Sequence, residues 1–431
     1  MKEKKVLILT YYFPPLGMGG VQRVTKFVKY LPLLGWQPYV LTVKEVEYIV
    51  KDPSLLEDIS GRTEIFRTGS FDPLRVWFGL KNFLKKEKKK DKPIKAYTIR
   101  RSKFLSWLFF PDNKVGWTPF ALRKGLSVCR REKIDLIFSS SPPPSLHLTG
   151  YLLKVLTGIP WIADFRDPWI GYKLESFPTP FHAFLKKRLE RLIVNKADGV
   201  ITANPAITRE LETRYPQEKK ICLVSQGYDE EDFRTYQTST SEIFTIGYLG
   251  TFSLDCDPEP FFAALSELIN QRRIPKQKVQ FVHVGVSMGI DLDRLMEKYK
   301  LKDIVQQKGY LPHGKSLGEM RKVSLLLLIT SDFPQVFPAK TFEYLRLQKP
   351  ILGIVPLKSE VAQFTTGVDI GKVVSPEDIK GIKEALLFFF SNFEKGKLTT
   401  DVNEDKLGKF ERKSLTLELA SLFDGTVKGW C

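Results

Sequence analysis

The chain opens with a short apolar run from Val6 to Thr10, a loop rich in proline and glycine, apolar positions at helical spacing from about Val21 to Leu34, and a second apolar run near Tyr39 to Val43. Short runs bounded by turn residues predict buried strands, and the helical spacing between them predicts one strand-helix-strand unit. Similar runs recur at Asp135 to Phe138, Trp161 to Ala163, Gly199 to Thr202 and Cys222 to Val224, with helical patterns between them. Such alternation predicts a parallel sheet covered by helices on both faces.

A polar stretch from Asp229 to Ser241 interrupts the alternation and reads as a linker. A second set of strands then follows, Phe244 to Tyr248, Val279 to Val284, Leu325 to Ile329, Ile351 to Ile354 and Lys372 to Val374, with helices such as Glu259 to Asn270 between. A chain of 431 residues is too long for one hydrophobic core, which stops growing at about 250 to 300 residues. The expected organisation is therefore an α/β domain over 1–228, a second over 242–400, and a helical segment over 401–431 that closes the structure with apolar positions from Glu411 to Phe423. One stretch breaks the pattern: about 71–118 carries KNFLKKEKKKDKPIK and then RRSKFLSWLFFPDNKVGW, and reads as an insertion in the first domain. Two readings of it are open. It is a solvated lysine-rich loop whose aromatics fold back on the core, or an interfacial patch in which lysines meet anionic headgroups while Leu105, Trp107, Leu108 and Phe109 insert shallowly.

Charge adds one constraint. The formal net charge is +18, which points to an anionic partner without choosing among nucleic acid, phospholipid and phosphorylated substrate. No RNA-recognition signature, zinc finger or arginine-rich reading helix supports nucleic acid, so none is expected as a partner. The four cysteines, Cys129, Cys222, Cys256 and Cys431, lack metal-site spacing and read as reduced thiols. The prolines after VLILTYYF cut short any signal or membrane-spanning run, so a cytoplasmic location is expected.

Three stretches could carry chemistry. In PPLGMGGVQRV, Gly19 and Gly20 sit between strand and helix, where backbone N–H groups and a helix N-terminus favour phosphate; a purely structural turn is the alternative, and the strict dinucleotide spacing is absent. Arg23 in the following helical turn could add charge near an acceptor or a diphosphate. In IPWIADFRDPW, Asp164, Arg166, Asp167 and Trp169 lie at the C-terminal end of a buried strand, the edge where open parallel sheets bind ligands. The acids could orient an acceptor's hydroxyls or form a salt bridge that fixes the loop. In SDFPQVFPAKTFEYLRLQKPIL, Pro338 and Ala339 can open a helix. Lys340 then sits beside an N-terminus favourable to anions, and Glu343, three residues on, shares its face. A cation for a diphosphate and a carboxylate for a ribose diol would line one site; a surface Lys/Glu pair is the alternative.

The ordered set of GGVQRV, SSSPPPSLH, DFRDPW, KADGVITANPAI, QGYDEEDF, IGYLGTF, GYLPH and PAKTFEYLRLQKPIL resembles the retaining glycosyltransferases of family 4, in the subgroup marked by DFRDPW. The resemblance spans nearly the whole chain. It implies a GT-B fold of two Rossmann-like domains facing across a cleft, with transfer of a sugar from a nucleotide-sugar donor to a glycan or lipid-linked acceptor in bacterial surface polysaccharide or glycolipid assembly. It also implies that the acceptor attacks from the face the diphosphate leaves, with no metal or other cofactor required and Gly250, Thr251, Thr341 and Lys340 near the donor. An anionic inner-membrane surface is a further expected partner. Departures are equally visible. Glu343 matches the second of the family's two glutamates, but Gln335 stands in place of the first. The usual arginine and lysine after the first donor-domain strand are replaced in GTFSLDCDPEP by Thr251 and Ser253. SSS occupies the strand end where a catalytic histidine is common; His147, which follows on a helix, is retained as a candidate catalytic group beside the alternative of a satisfied helix histidine, and His313 matches a family loop position. These departures leave open a catalytically silent sugar-nucleotide or glycan-binding protein.

Overall fold

A computed structural model describes residues 3–17, 19–44, 50–59, 61–71, 109–171, 179–218, 220–234, 242–330, 337–400 and 407–429. The described residues form two compact units, one running to Gln226 and resuming at Arg412, the other spanning Gly227–Glu411.

The first unit contains β1 (Lys4–Leu9), α1 (Gly19–Tyr30), β2 (Trp36–Val43), β3 (Glu64–Thr68), α2 (Thr118–Glu132), β4 (Leu136–Ser141), α3 (Ser145–Thr157), β5 (Trp161–Phe165), α4 (Pro180–Lys196), β6 (Gly199–Thr202), α5 (Pro205–Arg214) and β7 (Ile221–Leu223). Its sheet runs β3-β2-β1-β4-β5-β6-β7 with every neighbour parallel. Every residue of β2 and β4 is buried, as a strand covered on both faces requires. Helix starts follow local chemistry: Thr179 and Asn204 cap α4 and α5 by accepting from His182 N and Ile207 N, each followed by a proline whose missing N–H costs nothing at that position.

The second unit contains β8 (Phe244–Leu249), β9 (Phe252–Ser253), α6 (Glu259–Asn270), β10 (Val279–Val284), β11 (Ser287–Met288), α7 (Leu292–Lys298), β12 (Val305–Gly309), α8 (His313–Lys322), β13 (Leu325–Ile329), α9 (Lys340–Leu347), β14 (Ile351–Ile354), α10 (Glu360–Gly367), β15 (Gly371–Val374) and α11 (Ile379–Glu394). Its main sheet is again parallel, in the order β12-β10-β8-β13-β14-β15. Two clusters of apolar side chains fill the space between this sheet and its helices.

Two sequence expectations shift, and a third falls mostly outside the described residues. The last helix, α12 (Arg412–Val427), is part of the first unit: Leu415, Leu419 and Phe423 join its core, and Trp36 packs edge-on to Phe423 at 5.3 Å while donating to Asp424 at 2.9 Å. The start of the linker is ordered, because Asp229 caps a short 3-10 turn over Glu230–Phe233 that Glu230 ties to Arg346. Most of the basic and aromatic insertion, including Leu105, Trp107 and Leu108, lies outside the described residues, but Trp117 at its end is buried, donating to Thr68 at 2.8 Å and packing edge-on to Tyr11.

Candidate functional site

Counted from its own first strand, the second unit's sheet has the order 3-2-1-4-5-6, which reverses direction between β8 and β13. Ligands of open parallel sheets bind outside the strand ends at such a reversal. The loop leaving β8 carries Gly250 and Thr251, and the loop after β13 leads to Pro338, Ala339 and α9. Topology thus brings together four residues picked out from separate motifs.

Side chains join the two loops. Lys340 places its ammonium 3.8 Å from the centre of the Tyr248 ring, and a Cβ on Gly250 would lie 3.1 Å from Lys340 Nζ. One turn on, Tyr344 accepts a hydrogen bond from Leu249 N at 2.8 Å, so residues i and i+4 of α9 both grip the end of β8. Among the described residues no carboxylate pairs with Lys340. Burial lowers its pKa to about 8, with Cys256 and Glu343 pulling the other way. The first turn is tight, since Thr341 N and Phe342 N donate to the carbonyls of Pro338 and Ala339. That leaves Ala339 N and Lys340 N as the donors beside the ammonium, a cation and a helix start facing the same place. Thr341 is buried with no partner for its hydroxyl among the described residues.

Glu343 is held from outside α9. His313, the first residue of α8, brings Nε2 within 2.9 Å of a Glu343 carboxylate oxygen, and its Nδ1 lies 3.5 Å from Asp232. The ring thereby links Glu343 to Asp232 and fixes where the Glu343 carboxylate points. Behind Gly250, the neutral His283 donates from Nε2 to the Gly250 carbonyl at 3.0 Å, and burial lowers its pKa to about 4. Gln335 and the turn from Phe333 to Val336 lie outside the described residues.

In the first unit, Gly19 and Gly20 open α1, and a Cβ on either would meet nothing within 4 Å, so the space around that helix start is open. The acidic and basic residues of DFRDPW are largely consumed internally. Asp164 accepts from Arg23 Nη2 at 3.0 Å and Nε at 3.2 Å and from Ser140 at 2.6 Å, while Arg23 also donates to the carbonyls of Val224 and Ser225. With exposures of 1% and 0%, Arg23 and Asp164 form the loop-fixing salt bridge and present no surface to an acceptor. Arg166 is spent likewise on the carbonyls of Gly20, Ser141 and Pro142. Trp169 is buried and stacks on His147 at 5.3 Å, so Asp167 is the exposed member of the set.

His147 is corrected from a candidate catalytic group to a core residue. It is fully buried among Trp161, Phe165 and Trp169, its Nδ1 lies 2.7 Å from the Ser139 hydroxyl, and its Nε2 has no partner among the described residues. Burial drives its pKa from 6.5 to about 3. The sign follows: His147 stays neutral in the folded state but protonates in the unfolded one below about 6.5, so its contribution to stability is lost as pH falls from there toward 3. Replacing it with leucine should therefore flatten the acid limb of a Tm-against-pH curve and leave kcat within about threefold, because an unpartnered buried polar group costs more than an apolar one of similar shape. A hundredfold loss of kcat would return His147 to the catalytic machinery.

Three contributors to the donor-side site were not read from the sequence: Tyr248, Tyr344 and His283. Tyr248 on IGYLG and Tyr344 on KTFEY stood beside residues already singled out, whereas His283 in FVHVG carried no such signal, and only the strand order shows that the three stretches meet.

Residues 18–232 match the model of Glycosyltransferase Family 4. Among curated proteins none matches the sequence closely enough to count as a relative. Among solved structures the chain is similar to sucrose-phosphate synthase from Thermosynechococcus elongatus, with a TM-score of 0.68 and 14% identity over 98% of each chain. It is also similar to Anabaena HepE in complex with UDP and glucose, with a TM-score of 0.64 and 14% identity over 98% of this chain and 100% of the other. A third is S. aureus TarM in complex with UDP and other ligands, with a TM-score of 0.63 and 11% identity over 98% and 100%. At these identities the likeness establishes the fold, and together with the family match over the first unit it shows that the chain belongs to glycosyltransferase family 4 and is a glycosyltransferase with the GT-B fold.

Proposed function

We propose that the protein is a retaining glycosyltransferase that moves a sugar from a nucleotide-sugar donor to a glycan or lipid-linked acceptor in bacterial cell-surface polysaccharide or glycolipid assembly, working at an anionic membrane face on the cytoplasmic side. The observation that carries this reading is the Lys340 ammonium, without a carboxylate partner among the described residues and set at the sheet reversal beside the start of α9 with Glu343 three residues on. As the bond from the sugar to the diphosphate breaks, the electron pair stays on the diphosphate. Lys340 and the Ala339 and Lys340 N–H groups meet that growing charge, so no metal is required for this step. Glu343, oriented by His313, accepts from the ribose diol, and Gly250 and Thr251 border the diphosphate. Gln335, if it takes the place of the family's first glutamate, donates and accepts at the transferred sugar's hydroxyls. On the acceptor side Asp167 is the group available to a hydroxyl, with Arg23, Asp164, Arg166 and Trp169 holding its loop.

Structures of HepE and TarM hold UDP, which makes UDP the first nucleoside diphosphate to test. At a hundred times its Kd it should stabilise the second unit by about 2.7 kcal/mol, read as a rise in Tm. Glu343→Ala should weaken that stabilisation while sparing the fold, and the parent should release diphosphate from a matching nucleotide sugar. Equal stabilisation of parent and variant would remove Glu343 from the site, and binding without any turnover across a donor panel would leave a silent binding protein.

A further inference from the structure

Helix α4 turns a stripe outward that the transfer reaction does not use. Phe181, Phe184, Arg188, Arg191 and Asn195 follow one another at steps of three and four residues, which places them on one helix face, and all five are exposed. The two rings are unusually bare for their size, at 63% and 51% exposure. Lys187 flanks the stripe. Beside it lies a cavity of about 700 Å³ whose lining includes Phe184, Lys187, Arg188, Arg191 and Arg214.

Most of this positive charge has no counterpart in the protein. Arg214 is taken by Glu190 and Glu210, but Lys187, Arg188 and Arg191 form no ion pair among the described residues. The one carboxylate in the lining, Glu218, is held by Lys220 at 3.1 Å. From Phe181 to Asn195 the stripe runs about 21 Å at 1.5 Å per residue, a line of rings followed by cations that extends past the reach of one small anion in the cavity beside it. A small anion would satisfy two of the cations and leave Phe181 and Phe184 in water. A flat anionic surface with an apolar layer beneath its phosphates satisfies both chemistries.

We infer that the outward stripe of α4 is where this protein lies against an anionic lipid leaflet, with Lys187, Arg188 and Arg191 on phosphate headgroups and Phe181 and Phe184 entering the interface. The inference rests on the reading above that transfer takes place at a membrane face, and it assigns that contact to a particular helix. It also separates docking from chemistry, since none of these residues belongs to the donor-side or acceptor-side sets.

The test is co-sedimentation of the full chain with phosphatidylcholine vesicles, with and without phosphatidylglycerol. The parent should bind the anionic vesicles and release as salt rises. The variant Lys187→Gln/Arg188→Gln/Arg191→Gln should bind about a hundredfold more weakly, at about 1 kcal/mol for each cation near the surface. Phe181→Ser/Phe184→Ser should weaken binding while keeping its salt dependence. Both variants should release diphosphate from the donor at the parental rate without vesicles, which confirms that they fold. Equal binding to neutral and anionic vesicles, or parental binding by the triple variant, overturns the inference. Displacement by inorganic phosphate beyond the effect of chloride at the same ionic strength also overturns it, assigning the groove to a small soluble anion. Failure of donor turnover with intact vesicle binding would sink the transferase reading and leave this one standing.

Discussion

Lys340→Ala is expected to lower kcat by two to three orders of magnitude while leaving the protein at least as stable as the parent. The first half follows from the charge that develops on a departing diphosphate. Removing one well-placed donor to a developing oxyanion costs about a hundred- to a thousandfold, and Lys340 is the one side-chain cation the described structure sets beside the start of α9. The second half follows from burial. Packed over Tyr248 with no carboxylate partner among the described residues, the ammonium is desolvated, and its pKa drops from 10.5 to about 8. A group whose folded pKa is depressed is held in its charged form against the preference of its surroundings, so removing it relieves the folded state below about pH 8. A catalytic cation and a structural one thus predict opposite stability changes for the same substitution.

The same pKa sets a pH test. Diphosphate binding needs the ammonium, so affinity for UDP should hold nearly constant below about pH 8 and fall by up to tenfold per unit above it. Calorimetric titration of the parent between pH 7 and 10 reads this directly, with Lys340→Ala as the flat control. A parent whose affinity stays level across that range would show that Lys340 does not carry the diphosphate.

Much of this site was legible before any coordinates, and the reasons differ by residue. Lys340 and Glu343 were visible because a helix imposes their spacing locally, and Pro338 marks where that helix begins. Gly250 was visible only through the resemblance of IGYLGTF to the family pattern. What could not be read was the joining of distant segments. His313 and Glu343 stand 30 residues apart, yet meet only because α8 and α9 flank the same strand, β13. The DFRDPW loop shows the opposite failure: its composition supports an acceptor site and a buried clamp equally well, and the choice depends on Arg23, 141 residues away, whose guanidinium fits the Asp164 carboxylate. His147 likewise carries no mark of burial in the sequence, because the rings that enclose it come from β5 and the loop after it. Strands were missed where burial was weak: β3 and β12 lie at the sheet edges with half-exposed or exposed positions, so their hydrophobic signal was faint.

Gly285→Ala should unfold the second unit's donor side more severely than any side-chain loss in the site. Gly285 follows β10 at a φ of +149°, in a region that residues with a Cβ rarely adopt. A Cβ there would lie 1.9 Å from the Gly250 carbonyl oxygen and 2.7 Å from its carbon. Neither atom belongs to a flexible side chain, so backbone must move. The Gly250 carbonyl is also the acceptor for His283 Nε2, and Gly250 N donates to Val284 O at 2.9 Å. Displacing it would therefore break the contacts that fix the end of β8, together with the ground beneath Lys340. Overpacking with backbone shift costs about 1 to 3 kcal/mol and the strained φ about 1 to 3 more. For a unit of this size that is a fall in Tm on the order of 10 °C. Gly250→Ala provides the contrast: its φ of +136° adds a backbone strain like that at Gly285, but its Cβ would sit 3.1 Å from Lys340 Nζ, the end of a flexible chain, rather than against backbone. That variant should melt closer to the parent and still bind UDP poorly, because the ammonium is pushed from its place. If Gly285→Ala melts within a degree or two of the parent and binds UDP equally well, the close crossing of the two strand ends does not shape the donor site.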